Sequence, residues 1–506
     1  MASRTADRPN IVLVVTDDQG PWAWGRASQG AVDTPTLDAL ADRGTVLDRF
    51  FCASPVCSPA RASLLTGRPP SWHGVHDWLA GSPSGAGAVD FLAGQPLVTD
   101  ALAAQGWRVG LSGKWHLGAS DVPRPGFEHW FALDGGGSPY DGGTFHTKLA
   151  DGTVRTERID GYLTDTIADD AISFLHEASD DPADERPFCS LVTFTAPHSP
   201  WRGQHPESYV APHRGRTVIG TDGVPVAEEP PHPWLASLRG RAVGCENDPV
   251  EALAGYLGSI AAMDAAVARI LATLESLSLV ESTVIIFTSD NGYNTGHHGI
   301  WGKGNGTWPL NMYEESVRVP FIAAGPGIAV DATRQDLVSA YDLAVTLCEL
   351  VGADPAAFRD GPGVSFLDVL QGTGARDADV VVHDEYGDTR MIRSQQWKYV
   401  QRIPSGPDEL YDLVADPAER ANLVDDPAQA EVVAALSRRL QAWEDRHGRT
   451  DRRADGHVVS GSGQLGPLPW DGTGPLFRRG EYDAVGGVPF TPPAAPSSAR
   501  GSAAPA

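Results

Sequence analysis

Two short apolar runs in this sequence end in the same chemistry. Ile11 to Val15 leads into Thr16, Asp17, Asp18, Gln19 and Gly20, and Thr283 to Phe287 leads into Thr288, Ser289, Asp290, Asn291 and Gly292. Asp-Asp and Asn-Gly are turn formers, and either motif alone reads most simply as the close of a strand. Together they read differently, because three carboxylates gathered at one place repel one another unless a cation lies between them. An all-oxygen set of three carboxylates and a carboxamide suits a hard cation such as Ca²⁺ or Mg²⁺ and suits zinc poorly.

Between the two acidic ends lies Cys57-Ser58-Pro59-Ala60-Arg61, trailed by Leu65-Thr66-Gly67-Arg68. Ser58 suits an N-cap and Pro59 a first helical turn, which puts Cys57 at the positive end of a short helix with Arg61 one turn in. From the residues alone, Cys57 reads as a low-pKa thiolate, an oxyanion site or an ordinary helix start. The five cysteines (Cys52, Cys57, Cys189, Cys245 and Cys348) are scattered, with no Cys-x-x-Cys spacing. Neither a disulfide framework nor a structural zinc site is expected.

The elements that must position these groups alternate strand with helix. Strands are predicted at Ile11 to Val15, Trp107 to Leu111, Phe188 to Phe194, Thr283 to Phe287 and Val319 to Ala323, which points to βαβ units. Between Tyr256 and Leu274, apolar residues recur at steps of three and four, so an amphipathic helix with a core-facing stripe is expected there. The predicted fold is α/β, with a large mixed, mainly parallel sheet sandwiched by helices. In such sheets the carboxyl ends of parallel strands face a common crevice. A small C-terminal antiparallel sheet plus helix is expected from Val380-Val381-Val382, Trp397 to Val400 and the helical stretch Val432 to Trp443. The expected division is 1–375 as the catalytic domain, 376–450 as a small α+β subdomain, and 451–506 as an irregular tail. Gly, Pro, Ser and Ala dominate that tail and predict disorder at its end. Trp470, Phe477 and Tyr482 suit a path along the surface.

At 506 residues the chain can bury a sizeable core, and 41% apolar with 21% charged residues is ordinary globular composition. Its formal charge of -26 disfavours nucleic acid and anionic membranes as partners. An anionic substrate therefore needs a pocket of locally reversed sign. No signal peptide or transmembrane segment is evident, so a cytoplasmic protein is expected.

The segment Cys57 to Arg68 resembles the signature of the formylglycine-dependent sulfatases of the alkaline phosphatase superfamily. The usual signature has serine where this chain has Ala60, while the minimal Cys-x-Pro-x-Arg pattern is intact. Gly113-Lys114-Trp115-His116, Ala196-Pro197-His198 and His297 to Lys303 extend the likeness in the family's order. Lys114 and His116, two apart, would point to one side of an extended backbone. Trp397-Lys398-Tyr399 and Glu409 to Leu413 resemble the family's C-terminal domain.

The resemblance implies an alkaline phosphatase-like fold and hydrolysis of a sulfate monoester. It implies that a separate maturation enzyme oxidises Cys57 to 3-oxoalanine (formylglycine). Asp17, Asp18, Asp290 and Asn291, with the modified Cys57, would hold one divalent cation, Ca²⁺ or Mg²⁺. The hydrated aldehyde would attack sulfur through one hydroxyl and expel sulfate through the other. Lys114, Lys303 and Arg61 would add positive charge, with Lys114, Lys303 and His198 binding the substrate. His198 would protonate the leaving alkoxide and His116 would serve as base, while His297 and His298 are left without an assignment. The loops Gly74 to Gln95 and Trp201 to Asn247 suit a sulfated carbohydrate over an aryl sulfate. Two other readings stay open: a phosphate or phosphonate monoester hydrolase of the same superfamily, and a non-catalytic carbohydrate-binding relative.

Overall fold

The computed structural model describes residues 8–181, 183–220, 226, 248–307, 310–384, 389–403, 407–449, 463–468 and 476–477. At its centre the strand Asn10–Thr16 is buried along its whole length. Side chains alternate across a strand, and here both faces are apolar: Ile11, Leu13 and Val15 enter one core and Val12 and Val14 the other. A strand of that pattern is stable only with helices on both sides of the sheet.

Five parallel strands form the middle of a ten-stranded sheet, in the spatial order Thr283–Ser289, Asn10–Thr16, Phe188–Thr193, Arg108–Lys114 and Phe127–Leu133. Gly142–Lys148 and Val154–Asp160 continue one edge antiparallel. Phe321–Ala324 and Gly44–Leu47 extend the other, each antiparallel to its inner neighbour. Helices Pro35–Asp42, Leu163–Glu177 and Pro249–Ser276 fill one face. Cys57–Thr66, Val98–Ala104 and Tyr341–Leu350 fill the other.

The mainly parallel α/β sheet predicted from the sequence is present. The segment predicted as one strand from Val319 to Ala323 is divided, because Arg318–Val319 pairs with Phe50–Phe51 in a separate small sheet while Phe321–Ala324 joins the large one. Five strands of the large sheet, Ala332–Arg334 at the edge beside Gly44–Leu47, Gly44–Leu47 itself, Phe127–Leu133, Gly142–Lys148 and Val154–Asp160, were outside the predicted set. The last of these is largely exposed and lacks an apolar run. The helix predicted between Tyr256 and Leu274 runs from Pro249 to Ser276, and the Asp248 carboxylate caps it by accepting from Glu251 N at 3.2 Å. It is the one helix among the described residues long and apolar enough to cross a membrane, yet most of its apolar stretch is buried in the core.

The C-terminal sheet has four antiparallel strands, Val380–Asp384, Thr389–Arg393, Trp397–Arg402 and Glu409–Asp412, with helix Ala430–His447 packed on it. Buried charges fix it to the main body. Lys398, fully buried, donates to Met312 O at 2.8 Å and to Glu419 Oε1 at 2.7 Å, and it pairs with Glu314 at 2.9 Å. Removing one member of a buried ion pair strands the other's charge. Lys398→Met is therefore expected to lower stability by about 3–5 kcal/mol, read as a fall in chemical-denaturation free energy. Of the tail, Gly463 to Leu468 and Leu476 with Phe477 are described and mostly buried. Trp470, Tyr482 and the terminal stretch expected to be disordered lie outside the described residues, as do Cys245 and much of the Trp201 to Asn247 loop.

Candidate active site

The two acidic strand ends meet. Asn10–Thr16 and Thr283–Ser289 are adjacent, parallel and in register to their last residues, Thr16 opposite Ser289. Asp17-Asp18 and Asp290-Asn291 therefore leave the sheet side by side, tied by Asp290 N donating to Thr16 O at 3.0 Å and Gln19 N donating to Ser289 Oγ at 3.1 Å. Asp18 takes a positive φ of 65°, which turns its side chain back over the strand ends. Tyr256 stabilises that turn: its hydroxyl donates to Asp18 O at 2.9 Å and accepts from Gly20 N at 3.2 Å. The sequence reading placed Tyr256 in the core stripe, which is correct for its ring, but the function of its hydroxyl carries no local signal.

Each carboxylate is matched by a cation. Lys114 pairs with Asp17, Lys303 donates to Asp18 Oδ1 at 2.5 Å, and Arg61 Nε donates to Asp290 Oδ2 at 2.8 Å. Asn291 Nδ2 also donates to Asp18 Oδ1, at 2.7 Å. The formal sum over these three pairs is zero. All six charged side chains are under a tenth exposed. Burial pushes the Asp17 carboxyl up, but Lys114, His198, Lys303 and Arg61 together hold it far below the usual carboxylate range. Burial and the Asp17 charge push Asp290 above that range. For Lys303 burial works against the charge, yet Asp18, the residue-57 thiol and the other carboxylates keep it firmly protonated.

Two buried acceptors at the strand ends, Asp17 Oδ1 and Asn291 Oδ1, have no hydrogen-bond donor among the described residues. Buried oxygens are almost always satisfied, so the pair makes the strand ends a candidate cation site. Carboxylate oxygens of Asp17 and Asp18 and a ring nitrogen of His198 lie within 4.8 Å of one another, a spacing that a single ion can bridge. The donor set fits an oxygen-loving divalent cation.

Cys57 opens the helix Cys57–Thr66 and is buried. The N-cap is Val56, in extended conformation, and not Ser58 as the sequence suggested. Ser58 lies one residue inside the helix, where its hydroxyl accepts from Leu79 N at 3.2 Å. Pro59 occupies the first turn as expected, and Gly67, left-handed at φ 62°, ends the helix by donating to Ser63 O. Burial raises the Cys57 thiol pKa, and the opposing pull of Lys303 and Lys114 does not reverse it. Burial thus works against the low-pKa thiolate reading of unmodified Cys57. Arg61 reaches across to Asp290 and also donates to Lys114 O at 3.0 Å, joining the helix to the strand ends.

The strand Arg108–Lys114 stops at Lys114, and His116 has a φ of 54°, so the two side chains do not share a strand face as the sequence spacing implied. His116 is nevertheless beside the cluster. Burial and the Lys114 charge push it well below the usual histidine pKa, which leaves a neutral ring. Its position is set by Gly136, unremarked in the sequence apart from the run Gly135-Gly136-Gly137. A Cβ at 136 would lie 2.3 Å from His116 ring atoms. Gly136→Ala should displace the ring and lower kcat roughly 10- to 100-fold with little change in Tm, as read by steady-state kinetics beside calorimetry.

His198 is the most open of these groups, with 28% of its side chain exposed. Its Nδ1 lies 2.6 Å from Ser199 O, and a carbonyl can only accept, so Nδ1 carries a hydrogen and Nε2 is left to face Asp18 Oδ2 at 3.7 Å. Tyr140 donates to the His198 carbonyl at 2.8 Å. His297 packs against Trp22 and accepts from Thr295 N, while His298 stacks on Tyr313 and pairs with Glu315 at 3.2 Å. Trp22, Thr295, Tyr313 and Glu315 lie outside the strand-end cluster.

Residues 9–353 match the model of the sulfatase family. The chain belongs to the sulfatase family. It is a sulfuric ester hydrolase with the alkaline phosphatase fold, and the sulfatase family generally uses a divalent metal. Residues 296–446 also match the C-terminal model of N-sulphoglucosamine sulphohydrolase. This sulfatase is 27% identical to a choline-sulfatase of Rhizobium meliloti, over 87% of this chain and 88% of that one. It is 28% identical to human arylsulfatase A, over 85% and 86%. It is 25% identical to an N-acetylglucosamine-6-O-sulfatase of Bacteroides thetaiotaomicron, over 88% of each. Among solved structures it is similar to one in complex with its substrate D-glucosamine-2-N,6-O-disulfate (TM-score 0.68, 24% identity, 87% of this chain and 98% of that one). It also resembles the phosphonate monoester hydrolase of Agrobacterium radiobacter (TM-score 0.62, 23% identity, 87% and 96%). The segment after residue 446 lies beyond both family matches.

Proposed function

We propose that this sulfatase hydrolyses a sulfated carbohydrate through an aldehyde made from Cys57, with one divalent cation, Ca²⁺ or Mg²⁺, held by Asp17, Asp18, Asp290 and Asn291. The observation that carries this reading is the pair of donor-less buried oxygens, Asp17 Oδ1 and Asn291 Oδ1, at strand ends whose charges otherwise cancel. A divalent cation added to a neutral cluster leaves it net positive, which supplies the reversed sign that an anionic ester needs on an acidic protein.

In maturation the Cβ–S bond of Cys57 is replaced by C=O; sulfur leaves as sulfide, and two electrons pass to an oxidant handled by the maturation enzyme. The hydrated aldehyde supplies two hydroxyls on one carbon, one to attack sulfur and one to expel sulfate. The chain's own groups prepare for this. His116, a neutral ring beside the cluster, is assigned as the base, against the burial and the Lys114 charge that disfavour its protonated form. His198, with Nδ1 committed to Ser199 O, presents Nε2 to the leaving oxygen. Lys114, Lys303 and Arg61 keep fixed positive charge around the ester. A carbohydrate leaving group is favoured by the names of several relatives, among them the N-acetylglucosamine-6-O-sulfatase.

A phosphate or phosphonate ester is the second reading, motivated by the likeness to a phosphonate monoester hydrolase. The test has two steps. Mass measurement of the Cys57 peptide after co-expression with a maturation enzyme should show the aldehyde. Kinetics on matched sulfate, phosphate and phosphonate esters should then rank sulfate first, and a higher kcat/KM for the phosphate or phosphonate would reverse the assignment.

A further inference from the structure

The C-terminal segment outside the family's shared sequence is built into the wall beside the nucleophile. Gln464 is fully buried and uses its whole carboxamide on one loop and its own turn. Its Nε2 donates to Gly74 O at 2.8 Å and to Gly466 O at 2.7 Å, and its Oε1 accepts from His76 N at 2.8 Å and from Asp77 N at 3.4 Å. Its backbone adds a strand-like pairing with the same loop, donating to Trp78 O at 2.8 Å and accepting from Ala80 N at 2.9 Å.

That loop touches the nucleophile's helix at its first turn, where Leu79 N donates to Ser58 Oγ. Val56, the cap residue before Cys57, packs in one apolar cluster with Leu468, Leu476 and Phe477 of the tail. Further along, Pro83 lies under Gly135, one residue before the glycine that seats His116. The loop therefore runs from the tail, past Cys57, to the rim that carries the histidines.

We propose that Gln464 is a positioning residue for sulfate-ester hydrolysis, through which the C-terminal segment sets the Gly74 to Pro83 loop as a substrate-facing wall. The inference rests on Cys57 carrying the nucleophile. A buried carboxamide with all four hydrogen-bonding functions engaged holds two backbones in one register, and a loop so held pays less ordering entropy when substrate binds.

The test uses the full-length, matured enzyme with Gln464→Met, which keeps the side chain's length and removes its hydrogen bonds. On an aryl sulfate, kcat/KM is expected to fall by roughly tenfold or more, chiefly through KM, with the aldehyde content of the Cys57 peptide equal to that of the wild type. A KM and a kcat per aldehyde-bearing molecule that match the wild type, with only Tm lowered, would overturn the proposal. If Gln464→Met does not yield folded protein, Leu476→Ala, which loosens the segment's seat against Val56, is measured in the same way. A raised KM supports the proposal and an unchanged KM overturns it. Absence of the aldehyde from wild-type peptide would count against the reading of Cys57, while the variant-to-wild-type ratio of KM would still decide the role of Gln464.

Discussion

Cys57→Ala is expected to reduce kcat on any sulfate ester by roughly 10⁴-fold or more, about 5 kcal/mol of lost transition-state stabilisation. The substitution removes one sulfur from a buried site at the start of a ten-residue helix whose cap is Val56 and whose end is fixed by Gly67. Neither end depends on the thiol, so the fold should lose no more than about 1–2 kcal/mol. Cys57→Ser should be as inactive on sulfate, because a serine hydroxyl cannot provide the second hydroxyl that expels the product. The measurement is burst and steady-state kinetics beside thermal unfolding. Retention of wild-type turnover by either variant would remove residue 57 from the mechanism.

Asp17→Asn carries the second large effect. It removes the negative charge at Asp17, whose Oδ1 has no donor among the described residues, and changes the cluster from three carboxylates to two while leaving Lys114, Lys303 and Arg61 in place. A hard cation is bound mainly by the charge of its ligands, so Ca²⁺ and Mg²⁺ affinity should fall by two orders of magnitude or more, about 3 kcal/mol at 1.4 kcal/mol per tenfold. Calorimetric titration of the chelated protein reads this directly. Thermal unfolding reads it independently, since a cation at about 100 times its Kd adds about 2.7 kcal/mol to the wild type and should add far less to the variant. Equal cation affinity in the two proteins would place the ion elsewhere. Chelation of the wild type should have the same kinetic effect as the substitution, with recovery on adding back either cation.

Much of the framework was legible because its signals are local. Strand periodicity, the turn chemistry of Asp17-Asp18 and Asp290-Asn291, and the spacing around Cys57 each depend on a handful of consecutive residues. Features that failed to show were those in which a remote partner overrides the local preference. Ser58 looks like a cap, but its hydroxyl is claimed by Leu79 N. Lys114 and His116 look like strand neighbours, but the strand ends between them. Val154–Asp160 is a strand because Gly142–Lys148 pairs with it, not because its own sequence is apolar.

The sequence by itself determined which chemical groups exist, in what order, and that they sit at strand ends and a helix start, since those are properties of neighbouring residues. Only the tertiary structure decided that Asn10–Thr16 and Thr283–Ser289 lie side by side in register, that three cations arrive from separate elements to neutralise three carboxylates, that Gly136 lies against His116, that Tyr256 bonds the Asp18 turn, and that Gln464 ties the tail to Gly74. Strand adjacency is a choice among many pairings of similar local stability, and the packing of the whole sheet between its two apolar layers makes that choice.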